Sequence, residues 1–263
     1  MQRLLFSGFD MNAATKTFAF STLLCCLIVL CECAKYEKEG YMPRPGLALT
    51  FDDYSITDWH NCLTLFDSFN VRATFYVSNY DKLTAKDKQM LHQLQEHGHE
   101  IGYHSLTHPN FVKYIQKHPI AQLLAEEIDK GISLMNADGF YPQTFAYPYG
   151  CHNNITDQAL LRKFKSLRAL NGSPNRAKSF TATSDNELLY SIGMDESSGK
   201  SMNELLDLIH LAQKNNNCLV LVGHRINQPS TKLQVPYEKL KKIITTTQAL
   251  GMKFYTVSEI SRL

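Results

Sequence analysis

The stretch LALTFDDY, residues 47–54, predicts the class of fold that the chain adopts. Its first five residues, Leu47–Phe51, are apolar or β-branched, and two adjacent aspartates, Asp52 and Asp53, follow them. A run so short and so uniformly apolar is typical of a buried strand rather than an exposed helix. We therefore predict a strand in the core of the protein, with two carboxylates at its end.

Seven further segments share this character and predict strands. They are short and rich in β-branched and aromatic residues: Arg72–Ser78, His99–Ser105, Gln143–Tyr149, Ser166–Leu170, Glu187–Gly193, Cys218–His224 and Lys253–Glu259. Between them, apolar residues recur at helical spacing over residues 57–70, 84–98, 120–139, 201–215 and 237–251. This repeated β-then-α order implies a parallel sheet with helices outside, either an open doubly wound sheet or a barrel. We expect one (β/α) barrel, distorted and incomplete, with about seven to eight β/α units.

Chemically active side chains recur at the carboxyl ends of the predicted strands. These positions carry two aspartates, three histidines and a tyrosine: Asp52, Asp53, His104, His108, Tyr149 and His224. In open α/β sheets and in barrels alike, active residues gather where the carboxyl ends of the strands meet. In a barrel this end is its mouth. We therefore expect the six residues to share one site there.

Three of these residues form a candidate metal site. Asp53 ends the first strand, and His104 and His108 lie four residues apart after the third. An Asp/His/His set suits Zn²⁺, with Co²⁺, Fe²⁺ and Ni²⁺ as alternatives, and three protein ligands leave positions open for chemistry. Adjacent residues of an extended segment point apart, so Asp53 can bind the ion while Asp52 faces a substrate. Each residue alone has an ordinary structural explanation, and only the combination predicts a metal centre.

Composition narrows the class of protein. The chain has 263 residues, of which 44% are hydrophobic and 20% charged, with a net charge of +2. This suits one globular domain with a sizeable core. Without a basic block, no nucleic-acid surface is predicted. The cysteines beyond residue 34 are widely spaced and form no C-x-x-C, which favours buried or free thiols over metal ligands or a disulfide framework.

Residues 1–34 differ from the remainder. An apolar run of about 14 residues, Phe18–Cys31, lies between basic residues and a polar stretch. It is short for a membrane span of roughly 20 residues, so it predicts a secretory signal segment. Ile28–Cys31 faintly resembles a bacterial lipobox, which keeps a lipid anchor as the minor alternative. The mature domain, residues 35–263, is expected to be secreted or in a bacterial cell envelope or periplasm, without a transmembrane span.

Four motifs in order along the chain resemble those of the polysaccharide deacetylase family, the NodB-homology group also called carbohydrate esterase family 4. They are TFDD (50–53), HSLTH (104–108), YPYG (147–150) and VLVGH (220–224), and the resemblance extends from about Pro45 to Leu263. It implies that Asp53, His104 and His108 bind one divalent metal ion, most often zinc. It also implies three catalytic roles: a general base (Asp52), a backbone N–H for the oxyanion (Tyr149) and an acid for the leaving amine (His224). Amide hydrolysis needs such groups.

Two departures from the family pattern stand out. The third motif usually begins with an arginine that pairs with the catalytic aspartate, whereas this chain has Ala146 there. We hypothesise that Arg168, at the end of the next strand, supplies the guanidinium instead. An Asp–Trp motif that tunes the acid histidine is not visible, and Asp195 is the nearest candidate to orient His224. Trp59, the single tryptophan, is expected in the core.

The resemblance implies a metal-dependent hydrolase that removes acetyl groups from a carbohydrate. N-deacetylation of an amino-sugar glycan or oligosaccharide is the leading hypothesis. An O-acetyl polysaccharide esterase and a small-amide C–N hydrolase use the same machinery and remain alternatives. A non-catalytic carbohydrate-binding relic is the alternative from another class. A relic has no chemical reason to keep both Asp52 and His224.

Overall fold

The computed structural model describes residues 44–171, 180–181 and 187–261. The predicted signal segment, residues 1–34, lies outside them. The strands are β1 (Gly46–Asp53), β2 (Ala73–Val77), β3 (Glu100–Tyr103), β4 (Thr144–Ala146), β5 (Ser166–Leu170), β6 (Phe180–Thr181), β7 (Leu188–Gly193), β8 (Cys218–Gly223), β9 (Arg225–Ile226), β10 (Gln234–Val235) and β11 (Lys253–Phe254). The α-helices are α1 (Ile56–His60), α2 (Leu63–Ser68), α3 (Ala85–Glu96), α4 (Phe111–Tyr114), α5 (Ile120–Leu123), α6 (Lys130–Ala137), α7 (Asn154–Leu160), α8 (Met202–Lys214), α9 (Tyr237–Ala249) and α10 (Val257–Ile260).

The parallel strands close into a barrel. They pair in the order β1-β2-β3-β4-β5-β7-β8, and β8 pairs back with β1 from Gly46↔Cys218 to Phe51↔Gly223. The two-residue β11 adds to the start of β1 through Gly46↔Lys253 and Leu47↔Phe254. The ring is therefore a seven-stranded barrel with only a fragment of an eighth strand. The prediction of a distorted, incomplete (β/α) barrel is confirmed, and the open doubly wound sheet is wrong.

Side chains alternate between the inside of the barrel and the layer beneath the helices. In β1, Leu47, Leu49 and Phe51 belong to the large outer hydrophobic cluster, whereas Ala48 belongs to a separate small cluster. Because successive strand residues point to opposite faces, Asp52 shares the inward direction of Ala48. The strand period thus sends one carboxylate into the barrel.

Local sequence sets the helix starts. Thr84 caps α3 in a capping box with Asp87, and Ser201 caps α8 in a capping box with Glu204. The segment predicted as one helix over residues 120–139 contains a π-helical stretch, Leu124–Asp129, between α5 and α6. Wider turns of this kind occur often at functional sites. Among the described residues, we find no helix that is long and apolar enough to cross a membrane.

The opposite end of the barrel, where the strands begin, is its floor. Glu100 lies there at the start of β3, and its carboxylate accepts hydrogen bonds from Thr74 Oγ1 at 3.0 Å, Thr144 Oγ1 at 2.8 Å and Ser258 N–H at 2.9 Å. Burial raises the pKa of Glu100. Next to it, His99 Nδ1 accepts a hydrogen bond from Ala73 N–H at 3.0 Å, and burial lowers the pKa of this imidazole to about 4. The floor therefore holds an acid and a base whose neutral forms are favoured.

Candidate active site

The barrel brings Asp53, His104 and His108 together at its mouth. His104 Nε2 lies 3.2 Å from His108 Nε2, and Asp53 Oδ1 lies 3.8 and 3.5 Å from these two atoms. We call the three residues the Asp–His–His cluster. On a tetrahedral zinc ion with bonds of about 2.0–2.1 Å, ligand atoms lie roughly 3.3 Å apart, so the three observed spacings fit one ion. Among the described residues, these are the ones whose ligand atoms converge in this way.

The surroundings of His104 suit a metal ligand. Its Nδ1–H donates to Ala146 O at 2.7 Å, which directs the lone pair of Nε2 toward the cluster. Burial lowers the pKa of His104 to about 4, against the opposing effect of the nearby aspartates. Because a histidine binds metal in its neutral form, this imidazole is ready to bind at neutral pH.

The backbone at the mouth is strained. Asp53 (φ 82°), Ser105 (φ 66°), His108 (φ 61°) and Tyr149 (φ 59°) all adopt the left-handed conformation. The other non-glycine residues with positive φ among the described residues are asparagines, and because Asn, Asp and His adopt this region more readily than other residues, the strain falls mainly on Ser105 and Tyr149. At Asp53 the left-handed turn interrupts the strand alternation, so its carboxylate reaches the same mouth as that of Asp52. Such strain typically gathers at functional sites, held by the surrounding structure.

Asp52 is a buried carboxylate held by Arg168. Nη2 of Arg168 donates to both carboxylate oxygens at 2.5 Å, and Asp52 Oδ2 lies 3.7 Å from His104 Nε2. Burial alone would raise the pKa of Asp52, but the charge of Arg168, with those of His104 and His224, lowers it below its usual range. The pairing Ala146↔Arg168 between β4 and β5 shows where the guanidinium comes from. Arg168 lies on β5, directly opposite Ala146 of β4, the position at which the motif usually has its arginine.

His224 follows β8 and pairs with Asp195. Its Nδ1 lies 2.6 Å from Asp195 Oδ2, and its backbone N–H donates to Asp195 Oδ1 at 3.1 Å. Burial acts to lower the pKa of His224, but the hydrogen bond with Asp195 and the charges of Asp52, Asp195 and Asp53 raise it to about 9. Trp59 is buried and packs on Phe75 as expected in the core. It also reaches the site, because its Nε1–H donates to His224 O at 2.7 Å.

Two exposed tyrosines flank the cluster. The ring of Tyr149 packs edge-on against His108, with ring centroids 4.7 Å apart. Tyr54, which is 59% exposed, lines a cleft of about 370 Å³ next to Asp53 and His224. The cleft also contains Arg225, whose Nε donates to the buried Asp58 at 2.8 Å. An apolar ring face next to fixed polar groups suits an amphipathic ligand.

The structure thus places every predicted site residue at the mouth. His152, which follows the third motif, has a structural partner, because its Nδ1 lies 3.0 Å from Asp157 Oδ2. Sequence reasoning missed Glu127, whose carboxylate accepts hydrogen bonds from Thr107 N–H at 2.8 Å and Thr107 Oγ1 at 2.6 Å. Its buried position on a helix was the available signal.

Comparisons with known proteins agree with the motifs. Residues 39–164 match the family described as polysaccharide deacetylase. Over 122 residues, 43% of the chain and 47% of the relative, the sequence is 30% identical to a chitin deacetylase of Colletotrichum lindemuthianum. Over 149 residues, 51% of the chain and 50% of the relative, it is 24% identical to a poly-beta-1,6-N-acetyl-D-glucosamine N-deacetylase of Staphylococcus epidermidis. The chain therefore spans about half the length of the curated relatives it matches.

The fold has solved counterparts. A CE4 family pseudoenzyme from Bacillus anthracis superposes with a TM-score of 0.58 at 16% identity, over 85% of this chain and 69% of that one. This likeness concerns the fold alone. In this chain the Asp–His–His cluster lies at the end of the barrel where barrel enzymes gather their active residues. Together with the four motifs, the match over residues 39–164 makes the chain similar to the polysaccharide deacetylase family.

Proposed function

We propose that the protein is a metal-dependent hydrolase that removes N-acetyl groups from an amino-sugar glycan or oligosaccharide. One observation carries the proposal. The Arg168-paired carboxylate of Asp52 lies 3.7 Å from a residue of the Asp–His–His cluster, at the mouth that also holds the His224–Asp195 pair. A candidate base, a metal site and a candidate acid therefore share one surface.

The cluster fits one divalent ion, with Zn²⁺ first and Co²⁺, Fe²⁺ or Ni²⁺ as alternatives. Asp53, His104 and His108 would hold it through Oδ1 and the two Nε2 atoms, which lie 3.2–3.8 Å from one another. When bound, such an ion polarises a carbonyl and promotes the ionisation of water.

Asp52 acts as the general base. Its lowered pKa keeps it ionised at neutral pH, so it can accept a proton from the attacking water. Arg168 orients the carboxylate by donating to both of its oxygens. The role that the family assigns to the motif arginine falls to a residue of the neighbouring strand.

His224 and Tyr149 complete the reaction. The raised pKa of His224, about 9, keeps it protonated at neutral pH, so it can donate to the leaving amine nitrogen. Asp195 holds the imidazole through Nδ1, which leaves Nε2 for the substrate. The backbone N–H of Tyr149, in the strained turn beside His108, donates to the oxyanion of the tetrahedral intermediate.

The cleft beside the cluster supports a sugar substrate. A pyranose ring has apolar C–H faces and polar edges, so it can stack on an exposed ring such as Tyr54 and bond to fixed polar groups such as Arg225 and Asp58. The relatives reported above are named as deacetylases of chitin and of poly-N-acetylglucosamine. Polymers of this type lie outside the cytoplasm, which agrees with the proposed secretion or cell-envelope location.

The test is acetate release by the purified chain after removal of metal and reloading with Zn²⁺ or Co²⁺. Substrates are chitin oligosaccharides, peptidoglycan fragments and acetylated xylan. We expect metal-dependent release from an N-acetylated glycan that is lost in Asp52→Asn. Glu100→Gln is the matched control, because it removes a half-buried carboxyl group at the opposite end of the barrel and should leave activity intact.

The alternatives predict different results. Acetate from xylan alone would identify an O-acetyl esterase. Bound metal with no acetate from any glycan would indicate a carbohydrate-binding relic. Wild-type release unaffected by Asp52→Asn would contradict the assignment of the base.

A further inference from the structure

The loop that carries His104 and His108 is attached to one residue of a distant helix. Glu127, which is 5% exposed, lies 20 residues beyond Thr107 in the chain, in the π-helical stretch Leu124–Asp129. Its carboxylate oxygens accept one hydrogen bond each from Thr107, Oε2 from N–H at 2.8 Å and Oε1 from Oγ1 at 2.6 Å. Both bonds therefore end on the residue that directly precedes His108.

The backbone of Glu127 binds the same loop. Its carbonyl oxygen accepts a hydrogen bond from Leu106 N–H at 3.2 Å and another from Tyr103 Oη at 2.7 Å. Glu127 thus receives four hydrogen bonds from residues 103–107. These residues surround His104 and reach His108, so one glutamate fixes the segment between the two imidazoles on both sides.

The helix is shaped to allow this approach. A Cβ atom at Gly131 would lie only 1.6 Å from Tyr103 Oη, so a side chain larger than hydrogen would displace the tyrosine from Glu127. Gly131 lies four residues after Glu127, on the same face of the helix, and both are buried. The close contact between the helix and the loop therefore depends on a glycine next to the glutamate.

The loop requires such restraint. Ser105 and His108 both hold left-handed backbone conformations, and at Ser105 this conformation is strained and needs support from the surrounding structure. Within the loop itself, the restraint is one bond from His108 N–H to Ser105 Oγ at 3.0 Å. The carboxylate of Glu127 adds two bonds to an ionisable acceptor, a stronger type than neutral bonds. Without it, His104 and His108 would hold their 3.2 Å spacing for a smaller fraction of the time.

We propose that Glu127 is a positioning residue that sets the metal affinity of the Asp–His–His cluster by fixing the loop through Thr107. The inference rests on the metal centre of the proposed function. It concerns a residue that binds neither metal nor substrate. Outer partners of metal ligands typically change metal affinity by about 10- to 100-fold when they are replaced.

The experiment is a Co²⁺ titration of the full chain, with absorption spectra recorded in the presence of a competing chelator. In Glu127→Gln, the amide oxygen can accept from Thr107 N–H, but the negative charge is lost and the amide nitrogen can only donate toward Thr107 Oγ1, which reverses that hydrogen bond. We expect Co²⁺ affinity to fall about 10- to 100-fold and the visible spectrum to change. Thr107→Val, which removes only the hydroxyl group, should weaken binding less, and Thr107→Ser should restore it.

Glu126→Gln is the matched control. Glu126 lies in the same π-helical stretch but faces outward, where it accepts from Tyr114 Oη and Gln122 Nε2. Its replacement should leave Co²⁺ affinity unchanged. Thermal unfolding of each metal-free variant separates loss of stability from loss of affinity. The Thr107 pair provides the same test if Glu127→Gln does not fold.

The outcomes distinguish the inference from the proposed function. Failure of the wild-type chain to bind Co²⁺ would overturn the metal centre itself. Tight binding by the wild type and equally tight binding by folded Glu127→Gln, or by Thr107→Val if only that variant folds, would overturn the positioning role alone. A lowered unfolding temperature with an unchanged dissociation constant would assign Glu127 a purely structural role, which also contradicts the inference.

Discussion

Asp52 and His224 at the mouth form a carboxyl–imidazole pair, and Glu100 and His99 form another at the floor, yet the pKa values of the two pairs shift in opposite directions. At the mouth, the pKa of Asp52 is lowered and that of His224 is raised to about 9, so both are charged at neutral pH. At the floor, the pKa of Glu100 is raised and that of His99 is lowered to about 4, which favours both neutral forms.

The partners explain the difference. Burial favours the neutral form of every one of these groups. At the mouth, Arg168 faces Asp52, and Asp195 faces His224, so opposite charges outweigh burial. At the floor, Glu100 is bonded to hydroxyl groups and a backbone N–H, and His99 packs against Phe66 and Phe75. One barrel thus sustains charged groups where proton transfer is proposed and neutral groups where it only closes the core.

The largest effect is expected when the buried carboxylate of Asp52 loses its partner Arg168. Arg168→Met leaves Asp52 buried without a counter-charge, so stability should fall by about 3–5 kcal/mol. Acetate release should fall by about 10²- to 10⁴-fold, because the base is no longer ionised and oriented. Urea unfolding and an acetate assay measure the two effects. The double variant Asp52→Asn/Arg168→Met should regain part of the stability and none of the activity, and unchanged activity in Arg168→Met would exclude the arginine from catalysis.

A smaller effect is expected at His224, the proposed acid. Asp195→Asn removes the carboxylate that raises the pKa of His224, so this pKa should fall from about 9 toward 6.5. The group is protonated below its pKa, so the variant should lose acid catalysis at lower pH than the wild type, with roughly 30-fold lower activity at pH 8. The stability that His224 contributes below pH 6.5, and loses as pH rises through about 9, should be lost with it. NMR titration of the ring checks the pKa directly, and an unshifted titration would contradict the pairing.

At the floor, a fall in pH should destabilise the protein through protonation of His99. Because its folded-state pKa is about 4 against an ordinary 6.5, the unfolded chain binds the proton more readily. Stability should therefore fall by about 3 kcal/mol as pH drops from 6.5 through 4. His99→Gln keeps an acceptor for Ala73 N–H and should flatten this part of the profile of unfolding free energy against pH. The exposed His97 offers the control: His97→Gln should leave the slope as it is, and an equal change in both variants would contradict the assignment to His99.

The smallest effect is expected for Glu100→Gln. The amide resembles the neutral carboxyl group that burial favours, so stability near pH 7 should change by less than about 1 kcal/mol. Because the folded-state pKa is raised, wild-type stability should fall as pH rises above 4.5, and this decline should disappear in the variant. Urea unfolding between pH 5 and 9 measures it. A loss as large as that expected for Arg168→Met would mean that the floor also depends on an ionised carboxylate.

Much of the fold follows from local sequence. All eight predicted strands overlap observed ones, β1–β5, β7, β8 and β11, because each short apolar run has to be buried on both sides. The two-residue strands β6, β9 and β10 were not predicted, since so short a segment has no pattern of its own. The π-helical stretch was missed for a similar reason. Its residues fit an ordinary helix, and contacts with the β3 loop accompany the wider turn.

The site was predictable where a strand end carries the residue. Asp53 at the end of β1 meets His104 and His108 after β3, because the carboxyl ends of all the barrel strands meet at one mouth. The contact between Arg168 and Asp52 also depends on the β4–β5 register, which no local pattern specifies. Glu127 could have been noticed, because its i, i+4 spacing with Leu123 and Gly131 places it on the buried face of a helix. A glutamate at such a position needs a buried partner, but the sequence does not identify Thr107 as that partner.

The Ala146↔Arg168 pairing has a consequence for how active and inactive relatives are told apart. A survey that reads the third motif along the chain would record a missing arginine and set this protein aside as defective. A survey that asks which arginine pairs with Asp52 inside the barrel would retain this protein, because β5 supplies the guanidinium that β4 lacks. Orthologues with the arginine on β4 and orthologues with it on β5 would then count as two versions of the same arrangement.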